Sequence, residues 1–136
     1  MPTVEEMGAY FSRYDADVII DRDCKAEIYA IVSRSGKRIK FTADYDKRIG
    51  ILIEQRENAP GVNHNWFELL RYEKEASLYS LRMARIDNLR ILYVIRKRII
   101  LLCAFKEKEE HGKKTDSYVE FIPVALNRLQ RYKEEE

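Results

Sequence analysis

The sequence predicts an α+β fold, in which two helices from the N-terminal half and a C-terminal helix pack on a small antiparallel or mixed β-sheet. The length of 136 residues and the apolar content of 46% provide one packed core but not two. Three β-rich runs with short polar connections lie between residues 78 and 105, which indicates an antiparallel meander. Residues 42–57 and 120–132 instead repeat their apolar side chains at helical spacing.

Residues 1–23 are expected to form an N-terminal extension to a domain that covers residues 24–136. The extension is acidic, with six Asp or Glu residues against two Arg. Its pattern predicts a short helix over 5–13 and a short strand over 17–21. The domain should then begin with a strand at residues 25–33, because this segment is rich in β-branched and aromatic side chains.

Two helices are predicted between that strand and the meander. Thr42 is a good N-cap for the first of them, and apolar side chains then recur at helical spacing up to Ile53. The sequence Asn-Ala-Pro-Gly at residues 58–61 should end it. An apolar cluster at residues 66–70 predicts a second, shorter helix that ends near Glu75.

Three strands form the centre of the predicted sheet, over residues 78–83, 89–95 and 98–105. The third strand is apolar on both faces, which is typical of a central strand that is covered on each side. The last helix should begin near residues 120–122, because Pro123 is tolerated only in the first turn of a helix.

Charge is distributed unevenly along the chain, although the net charge is only +2. Residues 82–114 hold ten Lys or Arg against four Asp or Glu, a net charge of +6. Such a stretch can attract phosphates, and it can equally be a solvated face. The spacing of Cys24, Cys103 and the two histidines fits no zinc motif, so no metal and no other cofactor is expected. The sequence has no apolar signal core and no apolar run near the ~20 residues that span a bilayer, so a cytoplasmic protein that does not contact a membrane is expected.

The strand sequences at residues 78–82, 89–93 and 99–106 resemble those of the RelE/ParE toxin superfamily, and within it the HigB-like, phage-associated branch. That branch typically has a strand LYELR, a strand similar to YRIFY, a strand IVLLHGFxKK and a helix containing EIxxAxxRxxxY. The helix motif is matched here at four positions, Ile122, Ala125, Arg128 and Tyr132. Cys103 and Ala104 stand where the branch has His-Gly. The resemblance covers about residues 24–133 and implies a RelE-like fold.

The resemblance implies the toxin of a type II toxin–antitoxin system, an endoribonuclease that cleaves mRNA, usually on the ribosome, and that binds a cognate antitoxin. In this reaction a ribose 2′-hydroxyl attacks the adjacent phosphate. The reaction needs a base for the hydroxyl proton, cations for the charged phosphorane and an acid for the leaving 5′-oxygen.

Candidate site residues follow from this resemblance and from the charge pattern. Arg82 and Arg90 match the arginines of two strand motifs and are the predicted phosphate clamp, because guanidinium donors match phosphate oxygens. Lys106 is a candidate base or cation, and His111 is a candidate general acid or base because histidine titrates near neutral pH. The predicted RNA-binding residues are Arg85, Lys108, Lys113, Lys114 and Tyr118. For each position the alternative is structural: a solvated arginine, an exposed charge-alternating loop or a partly buried aromatic side chain.

Two other functions remain open from the sequence. The same fold could be a non-catalytic protein-binding module, since the ParE branch acts on DNA gyrase and the basic strands could hold an acidic antitoxin segment. It could also be a nucleic-acid-binding domain that does not cleave. The acidic residues 1–23 could fold over the basic face and mask it.

Overall fold

The computed structural model describes residues 4–72, 77–110, 113–114 and 117–135. The helices are α1 (Val4–Ser12), α2 (Arg22–Ser35), α3 (Arg38–Gln55), α4 (Ala59–Val62) and α5 (Ser117–Leu129). The strands are β1 (Val18–Ile20), β2 (Phe67–Tyr72), β3 (Ser77–Met83), β4 (Leu89–Ile95), β5 (Ile99–Lys106), β6 (Glu109–Glu110) and β7 (Lys113–Lys114). Short 3-10 helices occupy Arg56–Asn58 and Gln130–Glu135. The architecture is α+β, as the sequence predicted.

A mixed sheet with the strand order β1-β5-β4-β3-β2 forms the centre of the molecule. Strands β3 to β5 pair antiparallel as the predicted meander, and β2 adds antiparallel to β3. Strand β1 pairs parallel with the start of β5, with Val18 opposite Ile99. A separate two-stranded ribbon joins β6 to β7.

Helices cover both faces of this sheet. Side chains of α2 and α3 pack against one face, where Leu81, Ile91 and Tyr93 are buried. Helix α5 packs against the other face, where Leu92 and Val94 are buried. Because strand side chains alternate between the faces, the central strand β4 is apolar toward both layers.

The N-terminal segment belongs to the first of these layers. Met7 and Phe11 of α1 are each 3% exposed in its core. The hydroxyl groups of Tyr10 and Tyr14 both donate to the Asp46 carboxylate of α3. In the described part of the chain, no hydrogen bond or ion pair joins residues 7–23 to the arginines of β3 and β4, so nothing there supports the hypothesis that this segment masks them.

The strand predicted at residues 25–33 is wrong, because this segment lies inside α2. The Asp21 carboxylate caps the helix by accepting from the backbone N–H groups of Asp23 and Cys24. Gly36 ends it in the left-handed conformation, with φ of 68°. Buried side chains at residues 24, 28 and 32 follow helical spacing, and their burial outweighs the β propensity of the segment.

Three helix predictions also need correction. The helix predicted over residues 66–75 is wrong, since Phe67–Tyr72 is strand β2 and pairs with β3. Helix α3 begins at Arg38, so Thr42 lies inside it rather than at its N-cap. Helix α5 begins at Ser117, which places Pro123 in its second turn. The carbonyl of Val119 there lacks its usual backbone donor, but this residue is 65% exposed and water can reach it.

The free edge of β5 beyond β1 is closed by one ion pair. The backbone N–H of Ala104 donates to Glu27 Oε1 over 3.1 Å, and Arg128 Nη1 donates to the Leu102 carbonyl over 2.9 Å. Glu27 and Arg128 also bond each other, at 2.7 Å and 3.0 Å. The pair therefore replaces a neighbouring strand and ties α2 to α5.

No helix within the described ranges has both the length and the apolar character that crossing a lipid bilayer requires.

Candidate functional site

The two predicted clamp arginines lie directly opposite each other, Arg82 on β3 and Arg90 on β4. Directly opposed residues project from the same face of a sheet, here the face that α5 covers. The structure therefore brings the two side chains together as neighbours.

Neither of these arginines is freely available at the surface. Arg90 is only 6% exposed, and its Nη1 donates to the carbonyl of Leu89 over 3.2 Å. Its other strand neighbour, Phe105, stacks on Phe121 of α5 with ring centroids 4.4 Å apart. Arg82 is paired with the Glu68 carboxylate, and 24% of its side chain is exposed. In this conformation a phosphate could reach Arg82 by displacing Glu68, but it could not reach Arg90.

The predicted lysines lie away from the two arginines. Lys106 follows Phe105 in β5, so its side chain leaves the sheet on the opposite face from Arg90, and its Nζ lies 3.7 Å from the Asp87 carboxylate. Lys106 and Lys108 together line a groove of about 290 Å³ beside the edge of β5, between α2 and α5. This β5-edge groove, defined by Glu27, Lys106, Lys108 and Phe121, does not include the arginine pair.

Of the remaining predicted residues, Tyr118 and Arg85 have described side chains. Tyr118 packs edge-on against Phe105, and its hydroxyl lies 3.0 Å from Ser80 Oγ, so it is part of the α5 layer. Lys113 and Lys114 form β7, and their side chains lie outside the described part of the structure, as does the whole of His111. Arg85 is exposed in the turn after β3.

A different cleft is lined by four cationic residues. It has a volume of about 350 Å³ and lies where the start of β2 and the end of β3 meet helix α3. We call it the Trp66 cleft and define it by Lys47, Arg48, Asn65, Trp66, Arg82 and Arg85. Of the predicted site residues, Arg82 and Arg85 line it.

A short polar turn fixes the backbone of Trp66. The Asn63 side-chain oxygen accepts from the backbone N–H groups of Asn65 and Trp66, at 3.0 Å and 3.2 Å. The carbonyl of Trp66 accepts from the backbone N–H of Arg82 over 2.8 Å. The chain therefore enters β2 with the indole at the end of the sheet.

Arg48 forms a rigid wall of the cleft. Its guanidinium carbon lies 4.1 Å from the centroid of the Trp66 ring, and its Nε donates to the carbonyl of Arg82 over 3.1 Å. Its Nη1 lies 3.5 Å from the Asp44 carboxylate, one turn earlier in α3. Burial lowers the pKa of Arg48; Asp44 acts to raise that pKa, and repulsion from Arg85 lowers it further. A partly desolvated cation of this kind favours an additional anion nearby.

Positive charge continues beyond the cleft. The Nζ of Lys37 donates to the carbonyl of Arg85 over 2.9 Å, at the corner between α2 and α3. A shallow neighbouring groove of about 590 Å³ is lined by Lys37, Arg38 and Lys40. These residues and Trp66 were missed by the sequence reasoning. The sequence does contain a signal for this basic surface, because residues 34–48 hold six Lys or Arg against two Asp.

The two cysteines and the acidic side chains offer little other chemistry. Both thiols are buried and free. Burial raises the pKa of Cys103 to about 12 and that of Cys24 well above its usual range, so neither is an activated nucleophile. Among the described residues, no group of three or more His, Cys, Asp or Glu side chains could hold a metal ion.

The fold and this cleft define an α+β protein with a basic surface cleft built around one tryptophan. Comparisons of the chain with protein-family models, with curated proteins and with solved structures found no match. Membership of the RelE/ParE superfamily stays a prediction from the strand motifs.

Proposed function

We propose that this protein binds RNA at the Trp66 cleft and acts as the mRNA-targeting toxin that its strand motifs predict. The observation that carries this proposal is the position of two cations, Lys47 and Arg48, over one indole ring, in a cleft that Arg82 and Arg85 also line. Lys and Arg neutralise backbone phosphates, and aromatic rings and guanidinium planes stack on unpaired bases.

Cleavage is the activity that the resemblance adds to binding. In that reaction a ribose 2′-oxygen attacks the adjacent phosphorus, the bond to the 5′-oxygen breaks, and a 2′,3′-cyclic phosphate and a 5′-hydroxyl form. Arg85 is exposed and can meet the phosphate first, while Arg82 stabilises the phosphorane after it exchanges Glu68 for a phosphate oxygen. The proton transfers assigned to Lys106 and His111 stay predictions. The ribosome, a cognate antitoxin and a cytoplasmic location complete the proposed function.

Expression in a bacterial host combined with RNA-binding measurements tests the proposal. The unaltered protein should arrest growth, cleave mRNA in an extract that contains ribosomes and bind RNA less tightly as salt increases. Arg85→Ala and Trp66→Ala should weaken all three effects. Arg22→Ala is the matched control, because this arginine is 82% exposed on α2 and should change none of them. RNA affinity that is equal in all four proteins would remove the cleft from the function.

A non-catalytic protein-binding module is the second candidate, and the burial of Arg90 favours it. The β5-edge groove has apolar walls, two lysines and two acidic residues, Glu27 and Glu120, of which Glu27 is already paired with Arg128. An acidic antitoxin segment would bind there at Lys106 and Lys108. Lys106→Glu should then weaken antitoxin binding, while the Trp66 cleft variants should not. Cleavage of mRNA in the ribosome-containing extract would exclude this alternative.

A further inference from the structure

We infer that the Trp66 cleft holds one unpaired nucleobase of a single-stranded RNA, with Asn65 contacting the edge of the base and the phosphates lying at the rim. This inference rests on the proposed function and specifies its ligand. The cleft volume of about 350 Å³ is at the small end of ligand pockets, which suits one nucleotide and excludes a duplex.

The walls of the cleft are held in place before any base enters. Arg48 is fixed by its bonds to Arg82 and Asp44, and only 10% of its side chain is exposed. The Trp66 backbone is fixed by Asn63 and Arg82. A stacking surface that is already ordered loses little conformational entropy when the base binds, so the stacking energy is retained as affinity.

The charges of the cleft separate the position of the base from that of the phosphates. The Asp44 carboxylate lines the cleft and is 24% exposed, so it repels a phosphate there, yet it can accept from an exocyclic amine of a base. Lys47 and Arg85 are exposed, and the Lys47 Nζ lies 5.2 Å from the Trp66 centroid. These two flexible cations can move to the phosphates on either side of the bound base.

Asn65 supplies the groups that can distinguish one base from another. It is exposed beside Trp66, and its backbone is held by the Asn63 turn. An asparagine side chain offers one acceptor and two donors, and its commonest paired contact with a base is to the amine and ring nitrogen of adenine. The cleft is therefore expected to prefer adenine to uracil.

Trp66 is the single tryptophan of the chain, so its fluorescence reports directly on the cleft. Titration with AMP and with a short adenine oligoribonucleotide should quench it. UMP should quench less, and inorganic phosphate or an RNA duplex should leave it nearly unchanged. Trp66→Ala should weaken binding of the single strand by about 10-fold or more, and Trp66→Phe should weaken it less. Asn65→Ala should remove the preference for adenine but keep the quenching.

Two outcomes separate this inference from the proposed function. Unchanged oligoribonucleotide affinity in Trp66→Ala while Arg85→Ala weakens it, or binding to the unaltered protein without quenching, would overturn the inference and leave RNA binding by the cleft standing. Absence of RNA binding in a gel-shift assay of the folded protein would overturn both. Quenching by inorganic phosphate equal to that by AMP would show that the cleft binds an anion and not a base.

Discussion

The guanidinium of Arg48 in α3 lies over the Trp66 ring and at the same time donates to the backbone carbonyl of Arg82 over 3.1 Å. One side chain thus joins a helix, the start of β2 and the end of β3. Its Nη1 also lies near Asp44. The shape of the cleft and the stability of this end of the sheet therefore depend on the same guanidinium group.

Arg48→Ala should lower the free energy of unfolding by about 2 kcal/mol, because it removes a cation–π contact and a charged hydrogen bond and leaves Asp44 without its partner. Urea denaturation monitored by circular dichroism measures this change. Lys47→Ala is the control, since the exposed Lys47 should contribute less than about 0.5 kcal/mol. An equal loss in both variants would mean that Arg48 is not fixed as described.

The Arg82–Glu68 pair should restrain RNA binding. Glu68→Gln removes the carboxylate that competes with phosphate for Arg82, so RNA affinity should rise by about three- to ten-fold. Filter binding or fluorescence anisotropy at several salt concentrations measures the effect, and the salt dependence should become steeper. Glu134→Gln makes the same change of net charge at an exposed position on the C-terminal segment. A similar rise in both variants would attribute the effect to net charge alone.

The sequence predicted the β3–β5 meander because its signals are local. Alternating apolar residues, turn sequences and short connections define each strand without knowledge of the rest of the chain. The strand prediction for residues 25–33 was wrong because the Ile and Val residues of this segment favour a strand. Its helical form depends on the Asp21 cap and on burial against β5. The strand β2 was missed for a related reason, since only its pairing with β3 makes residues 67–72 extended.

The sequence likewise identified only part of the candidate site. Arg82 and Arg85 were identified because they follow a recognisable strand sequence. Trp66 and Arg48 lie 16 and 34 positions before Arg82, and only tertiary packing brings them to it. The burial of Arg90 could not be predicted from the sequence either, because it depends on the position of α5 over the sheet.

The Glu27–Arg128 ion pair should be a main support of the α5 layer. Arg128→Ala leaves Glu27 half-buried without its partner and removes the donor to Leu102, so the free energy of unfolding should fall by about 3 kcal/mol. The hydrogen bond to Glu27 raises the pKa of Arg128, so the guanidinium stays charged over the whole working pH range. Denaturation of Arg128→Ala, Glu27→Ala and the double variant gives the coupling energy.

If the effects of Arg128→Ala and Glu27→Ala add up in the double variant, the two side chains do not interact directly. The exposed edge of β5 should also make the single variants aggregate more readily than Arg22→Ala, which light scattering during mild heating measures.

The two buried thiols should make the folded protein sensitive to alkaline pH. Burial raises the pKa of Cys103 to about 12, from an ordinary value of 9.0. A thiol whose pKa is raised by folding contributes stability below pH 9, and that contribution is lost as the pH rises toward 12. Stability should therefore fall across this range, and the fall should be smaller in Cys103→Ala, whatever the cost of the substitution at neutral pH. Tyrosines also titrate in this pH range. The comparison therefore uses the difference between the two proteins in how steeply the free energy of unfolding falls with pH. Equal slopes, or rapid alkylation of both thiols in the folded protein at pH 8, would contradict the burial of these groups.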